Sequence, residues 1–397
     1  MTSTESERIF TKSFVLLFAS SLFVSMVMYA LVSSMTSYAL TIGATVTVAG
    51  LISGINMFGG LFSRFYSGNG LERHRWRNFA LFFMVIDLIA SASYLLTDNL
   101  ILLVIFRFIQ GFAAAASSNA LLTIVTAIIP KKHYSEAFGY FMLSTTLAVG
   151  LGPFLENAIF NHFNYSGCFI AVCISSVIGI ILFLLVDSSE YEIEKPANTN
   201  NDEYTGIERF IELSAIPISV FISFLGLGYI ALLSFHKLYA VEVNLTGAFS
   251  WFFVIYSIVL LMLRPIAGKI QDKGGDKIVC YIGIIAQTIG LFLIVFAPSN
   301  ITVIICAVCT ALGFGTLSSA GTSIITRSIP PNRRSYGLAT FFVFCNTTTG
   351  FGPALIGSFV TESTGFTLIF LIAAIVSLLA LPLCVYALRH VGKASDS

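Results

Sequence analysis

Three ionisable residues stand where a polar side chain is costly: Asp87 within LFFMVIDLIA, Arg107 within LVIFRFIQG and Glu156 within LGPFLENAIF. A charge inside an apolar run is normally turned towards a cavity or a partner, and such residues mark ion and proton pathways. Asp87 and Arg107 fall on successive apolar segments, so the carboxylate can reach the guanidinium from the neighbouring helix. Two readings of that pair stay open, a structural ion pair and a proton-relay or gating role. Glu156 lies late in its segment, where an acid is tolerated only if protonated or paired. It is the leading proton or cation site, the alternative being a water-exposed acid at a helix end.

A second set of charged residues comes twice. Arg64, Gly68, Glu72, Arg73 and Arg77 recur 200 residues later as Arg264, Gly268, Asp272, Lys273 and Lys277. The register holds beyond the loops: Ser118, Ile124, Thr126 and Pro130 return as Ser318, Ile324, Thr326 and Pro330. Phe141, Gly150, Gly152, Pro153 and Leu155 return as Phe341, Gly350, Gly352, Pro353 and Leu355. One multi-helix unit has been made twice, and a duplicated membrane bundle is most often a transporter. An acidic residue beside basic ones at helix ends can act as a cytoplasmic charge latch that opens in one access state. The plainer reading of the same loops is a topology signal.

These residues need elements that hold them in a bilayer. With 56% hydrophobic and 10% charged residues and a mean hydropathy of +0.90, the 397-residue chain cannot present a wetted surface all round. A hydrocarbon core of roughly 30 Å takes about 20 apolar residues per helix. Twelve segments qualify, near 13–37, 46–66, 79–97, 100–129, 137–162, 167–187, 210–235, 247–267, 278–297, 300–328, 336–360 and 366–388. The expected fold is an all-α membrane protein of twelve transmembrane helices, in two six-helix halves related by a pseudo-twofold axis along the membrane normal. Residues 1–187 form the first half, 188–208 a polar linker on the cytoplasmic side, and 209–397 the second half. With both termini cytoplasmic, 19 of the 21 Lys and Arg fall on that side, which fixes the orientation and puts Glu156 in the outer half of its helix. His162, His236 and Lys237 then mark outer interfaces.

Composition also excludes functions. Neither GKI at Gly268 nor GKA at Gly392 completes a phosphate-binding loop, and no HExxH or GxSxG is present. No enzyme and no cofactor are expected, and uphill transport should draw on an ion gradient or a separate subunit, of which the first is simpler. The seven cysteines lie in or beside apolar spans, and the CxxC of Cys306 and Cys309 lacks neighbouring ligands, so no metal is expected.

The motifs resemble those of the major facilitator superfamily over essentially the whole chain. Its loop after the second span has the form Gly-x-x-x-Asp-Arg/Lys-x-Gly-Arg/Lys-Arg/Lys. GKIQDKGGDK keeps Gly268, Asp272, Lys273, Gly275 and Lys277, whereas GNGLERHRWR has Glu72 for the aspartate, Arg75 for the second glycine and Trp76 for a basic residue. RFIQGFAAA is similar to the fourth-span Arg-x-x-Gln-Gly-x-Gly-Ala-Ala, with Ala113 for the second glycine. AVGLGPFLEN and TTGFGPALIG resemble the fifth-span pattern of the superfamily's exporters, keeping Gly152, Pro153, Gly352, Pro353 and Gly357. Glycine with proline permits a bend and close packing, expected at the seam between halves. Glu156 and Asn157 replace that pattern's two final glycines in the first copy.

The resemblance implies the major facilitator fold, alternating access and a path between the halves lined by spans one, four, seven and ten, with help from two, five, eight and eleven. Tyr29, Asn56, Gln110, Asn119, Tyr229 and Asn346 are its candidate lining residues. A polyanion carrier would need several converging Arg or Lys, and the spans offer Arg107. Acidic residues and aromatic walls suit a lipophilic or cationic compound better. The expectation is a proton-coupled exporter in the plasma membrane of a bacterium, functional as a monomer, whose partners are the bilayer, protons and a small molecule but no nucleic acid. Efflux of a sugar-like metabolite or siderophore-type product stays open, as does a non-coupled receptor or lipid-handling protein.

Overall fold

A long apolar run in lipid must satisfy every backbone N–H and C=O internally, which leaves the helix as the simplest solution. The computed structural model describes residues 9–67, 73–129, 134–187, 211–273, 275–330, 333–361 and 364–395, and these contain no β-strand. The helices are α1 (Lys12–Thr41), α2 (Val46–Ser67), α3 (Arg73–Ser93), α4 (Leu100–Ile128), α5 (Tyr134–Leu184), α6 (Ile216–Glu242), α7 (Thr246–Asp272), α8 (Asp276–Phe296), α9 (Asn300–Thr310), α10 (Thr316–Ser328), α11 (Arg334–Gly357) and α12 (Thr367–Ser395). A π-helical turn, Ala311–Gly315, joins α9 to α10, so the two make one stretch. The expected span 137–162 and all but the last three residues of 167–187 lie within α5, which breaks at Asn164. Among the described residues, ten helical stretches are long and apolar enough to cross a membrane, and the undivided 48-residue stretch Ala137–Leu184 is one of them.

The repeat reappears in the turns. Backbone with positive φ occurs at Gly43 (91°) and Asn244 (57°), after α1 and α6, and at Asn164 (56°) and Gly365 (61°), inside α5 and before α12. Each pair is 201 residues apart. Glycine reaches this region without a Cβ penalty, and asparagine is among the few other residues that enter it.

The chain divides into two units, one of residues 1–43 and 55–197, the other of 44–54 and 198–397, so the first turns of α2 group with the second unit. In the first unit, Leu17, Trp76, Leu121, Ile124, Phe141 and Phe183 build a core from α1, α3, α4 and α5. Lipid tails give helices no hydrophobic reason to associate, so close packing and interhelical hydrogen bonds must do it. Ser20 of α1 donates to the carbonyl of Gly179 at 2.9 Å, and Ser144 of α5 to Ser21 at 3.0 Å. Bonds of this kind contribute roughly 0.6–2 kcal/mol each in a bilayer. Helices α2 and α4 cross so closely that a side chain at Gly111 would collide with the backbone of Asn56.

In the second unit, Phe221, Ile222, Ile284, Leu317, Ile324 and Phe341 form the corresponding core. Glu242, at the end of α6, accepts hydrogen bonds from the backbone N–H groups of Phe366 and Thr367 at 2.6 and 3.2 Å. A carboxylate there satisfies orphan donors and meets the positive end of the α12 dipole. Arg333, at the start of α11, donates to Glu212 at 2.8 Å and lies over the Tyr336 ring.

Candidate functional site

Arg107 and Gln110 are one helical turn apart on α4 and so share a face. Asp87 approaches from α3, Tyr94 from just beyond its end and Ser176 from the second part of α5. Arg107 donates through Nη1 to Gln110 Oε1, and the Tyr94 hydroxyl donates to the same oxygen at 3.3 Å. Asp87 faces Gln110, Arg107 and Ser176. Arg107 and Asp87 are 0% and 2% exposed, so water solvates neither, and each lies within electrostatic reach of the other. Desolvation of such a pair offsets much of its Coulomb attraction, but removing one partner alone costs about 3–5 kcal/mol. The cluster can therefore hold a charge pair or pass a proton along a chain of hydroxyl, amide and carboxylate, all within the first unit.

Glu156 lies elsewhere in that unit. It follows Gly152 by one turn on the face of α5 that meets α1; a Cβ at Gly152 would already lie 3.1 Å from the Ala30 nitrogen and the Met26 carbonyl. Glu156 is 3% exposed, and both carboxylate oxygens are shut off from the surface. It lines a groove of about 170 Å³ between α1 and the two parts of α5, with Val27, Ala30, Ile159, Val172 and Ile178 among its walls. The Cys168 thiol donates to the Glu156 backbone carbonyl at 3.5 Å. Tyr165 also stands near enough to feel the Glu156 charge.

The second unit presents an aromatic platform. Tyr229 of α6 stacks on Phe314 with ring centroids 4.8 Å apart, and Tyr256 of α7 lies 5.7 Å from Tyr229. Phe314 sits in the π-helical turn, where Gly313 has left helical geometry. Its backbone N–H donates to Gln287 Oε1 at 2.7 Å, while Gln287 Nε2 donates to the carbonyl of Leu225 at 2.8 Å and to Ser377 at 3.3 Å. One buried amide thus bridges three helices and fills the space that a side chain at Gly313 would need.

The other sequence candidates are scattered. Asn56 is buried at the crossing of α2 and α4, and Tyr29, Asn119 and Asn346 are half-buried. Gly68, Glu72 and the side chains of Arg73 and Asp272 lie outside the described residues. Arg77 donates to the Leu184 carbonyl at 3.0 Å, Lys273 and Lys277 are exposed, and Gly268 faces open space. Asp276, four residues beyond Asp272, accepts from Arg327 at 2.7 Å and from Gln271 at 2.9 Å. Gly152 packs on α1 and Gly352 on α6, each inside its own unit. Within the second unit, Pro353 meets the first turns of α2, where a side chain at Gly50 would strike its carbonyl. His236, expected at an outer interface, is buried, with its ring edge-on to Phe253.

The sequence model of the Major Facilitator Superfamily matches residues 14–249 and 218–396. An uncharacterized MFS-type transporter of Methanocaldococcus jannaschii is 23% identical over 357 residues, 87% of this chain and 90% of the relative. A multi-drug resistance efflux pump PmrA homolog of Lactococcus lactis subsp. cremoris is 28% identical over 77 residues, 19% of this chain and 65% of the relative. Among solved structures, a bacterial homolog of the human lysosomal transporter Spinster, inward-facing and unoccupied, superposes with a TM-score of 0.78. It covers 96% of this chain and 97% of its own at 13% identity, a likeness of fold.

Proposed function

Because the chain belongs to the Major Facilitator Superfamily, we propose that this membrane transporter is a proton-coupled exporter of small lipophilic or cationic molecules, working by alternating access between two halves. The observation that carries the reading is the burial of Glu156, a carboxylate inside an apolar helix pair. A group there is stable neutral or beside a cation, so proton and cationic cargo compete for it. Asp87 and Arg107 are the second candidate pair for coupling. Tyr229, Phe314 and Tyr256 offer π-faces to a cationic substrate. The stretch shared with the Lactococcus lactis efflux pump homolog supports export.

On this reading the plasma membrane holds the protein with both termini cytoplasmic, and the repeated loops ending in Arg77 and Lys277 serve as cytoplasmic gates. Everted membrane vesicles enriched in the protein test the proposal. Energised vesicles take up a lipophilic cation such as ethidium, and a protonophore abolishes the uptake. Uptake equal to that of protein-free vesicles across lipophilic cations and neutral drugs overturns it.

A further inference from the structure

Tyr165, Cys168 and Phe169 stand at i, i+3 and i+4 in the first turns after the break of α5 at Asn164, so they share one face of the helix. Tyr38, near the end of α1, meets two of them. Its ring centroid lies 5.3 Å from that of Tyr165 and 5.0 Å, edge to face, from that of Phe169. Phe160, before the break, adds a ring 4.7 Å from Tyr165, and Phe169 continues to Tyr94 at 5.7 Å. These rings form one cap over the two buried sites of the first unit. On one side Tyr94 bonds Gln110 of the Arg107 cluster. On the other, Tyr165 is within electrostatic reach of Glu156 and of Cys168, whose thiol donates to the Glu156 carbonyl.

The cap is pinned at its edge. Tyr38 donates its hydroxyl proton to Asp98 Oδ1 at 2.7 Å, and Asp98 is an exposed residue of the loop between α3 and α4. A hydrogen bond to a carboxylate is about twice as strong as one between neutral groups. Water at the exposed acid can replace either partner, so the bond opens at a lower cost than a buried one would.

We infer that the Tyr38–Asp98 hydrogen bond is a releasable latch on this aromatic cap, and that its opening admits protons from the outer side to Glu156. The end of α1, the loop after α3 and the second part of α5 meet at the cap, and the positive φ at Asn164 gives the last of these a break about which to turn. With the latch closed, both Glu156 carboxylate oxygens are shut off from the surface. A proton site in a membrane needs such a closure, because an acid permanently open to water on one side would let a gradient leak whenever the other side opened.

This inference deepens the exporter reading by assigning the outer proton entrance of Glu156, and rests on that reading and its orientation for the direction of access. The latch itself needs neither substrate nor gradient to be observed. A chain whose cap opens as described but that moves no protons overturns the exporter reading and leaves the latch standing.

The experiment is alkylation of the full chain by N-ethylmaleimide in phosphatidylcholine nanodiscs, with peptide mass spectrometry reading each cysteine. Cys168, buried beneath the cap, reports its opening; Cys173, farther along the same helix, and Cys306, in the second unit, report general loosening. Tyr38→Phe, which keeps the ring, and Asp98→Ala should each raise the Cys168 rate at least fivefold while the other two cysteines keep their wild-type rates. The double variant should react no faster than the faster single one, because both substitutions remove the same bond. An unchanged Cys168 rate in either single variant, additive acceleration in the double one, or acceleration of all three cysteines together overturns the latch. A water-soluble carbodiimide, mapped in the same peptides, should label Glu156 faster in the same variants. Glu156 that stays unlabelled while Cys168 speeds up overturns its place as the acid the cap serves.

Discussion

Asp87 and Gln287 occupy the same position of the duplicated helix, 200 residues apart, and each faces a serine on the last helical segment of its own unit, Ser176 for Asp87 and Ser377 for Gln287. Around them the copies diverge. Asp87 meets Arg107, whose counterpart is Ala307. Gln287 meets the opened turn at Gly313, whose counterpart is Ala113 in an unbroken helix. One unit keeps two ionisable residues near each other at this point; the other keeps a neutral amide that holds an irregular helix together.

Gln287→Leu should cost about 1–3 kcal/mol, because the Phe314 N–H and the Leu225 carbonyl lose a buried partner. The larger effect should be on Phe314, which the bond holds against Tyr229. Thermal unfolding in detergent measures the first, and a binding affinity for lipophilic cations that falls with little change for neutral compounds measures the second.

Arg107→Ala and Asp87→Ala should each destabilise by about 3–5 kcal/mol, since each leaves the other charge buried alone. The double variant should be less damaged than the sum. A double-mutant cycle on unfolding checks this, with a coupling of roughly 0.5–3 kcal/mol expected for residues in one network. Additive losses would mean that the two charges act independently.

The helices, their order and the duplication are legible in the sequence because bilayer thickness and composition admit few alternatives. Asp87, Arg107 and Gln110 can be grouped because the helical period and the adjacency of spans three and four suffice. Tyr94 is missed although the expected span 79–97 includes it, because α3 ends at Ser93 and a tyrosine near a span end reads as an ordinary interface residue. Gln287 could have been found from the same 200-residue offset, but a neutral amide raises no alarm that a carboxylate would. The π-helical turn has no sequence signal beyond Gly313 and Gly315. Asp276 escapes notice because the loop motif directs attention to Asp272. The groove at Glu156 depends on which side of α5 meets α1, and that is a matter of packing.

Gly111→Leu should misassemble the first unit. The new side chain has the Asn56 backbone in its way, and backbone cannot yield as a flexible side chain can; overpacking of a close core costs about 1–3 kcal/mol or more. Gly268→Leu, at a position facing open space, is the control and should be tolerated. Yield of monodisperse protein after size-exclusion chromatography compares the two.

Arg327→Gln should lower stability by at most about 1 kcal/mol, because its pair with Asp276 is largely exposed, at 43% and 28%. Arg333→Gln removes a buried cation from Glu212 and should cost about 3–5 kcal/mol. The difference in melting temperature between the two variants is the readout.

Substrate-induced proton movement in proteoliposomes, with wild type beside Glu156→Gln, tests the central claim most directly. Loading a lipophilic cation should drive protons across the membrane in wild type, and the signal should vanish in the variant although the protein remains folded. A cation that demonstrably crosses with no proton signal, or an undiminished signal in Glu156→Gln, contradicts the account.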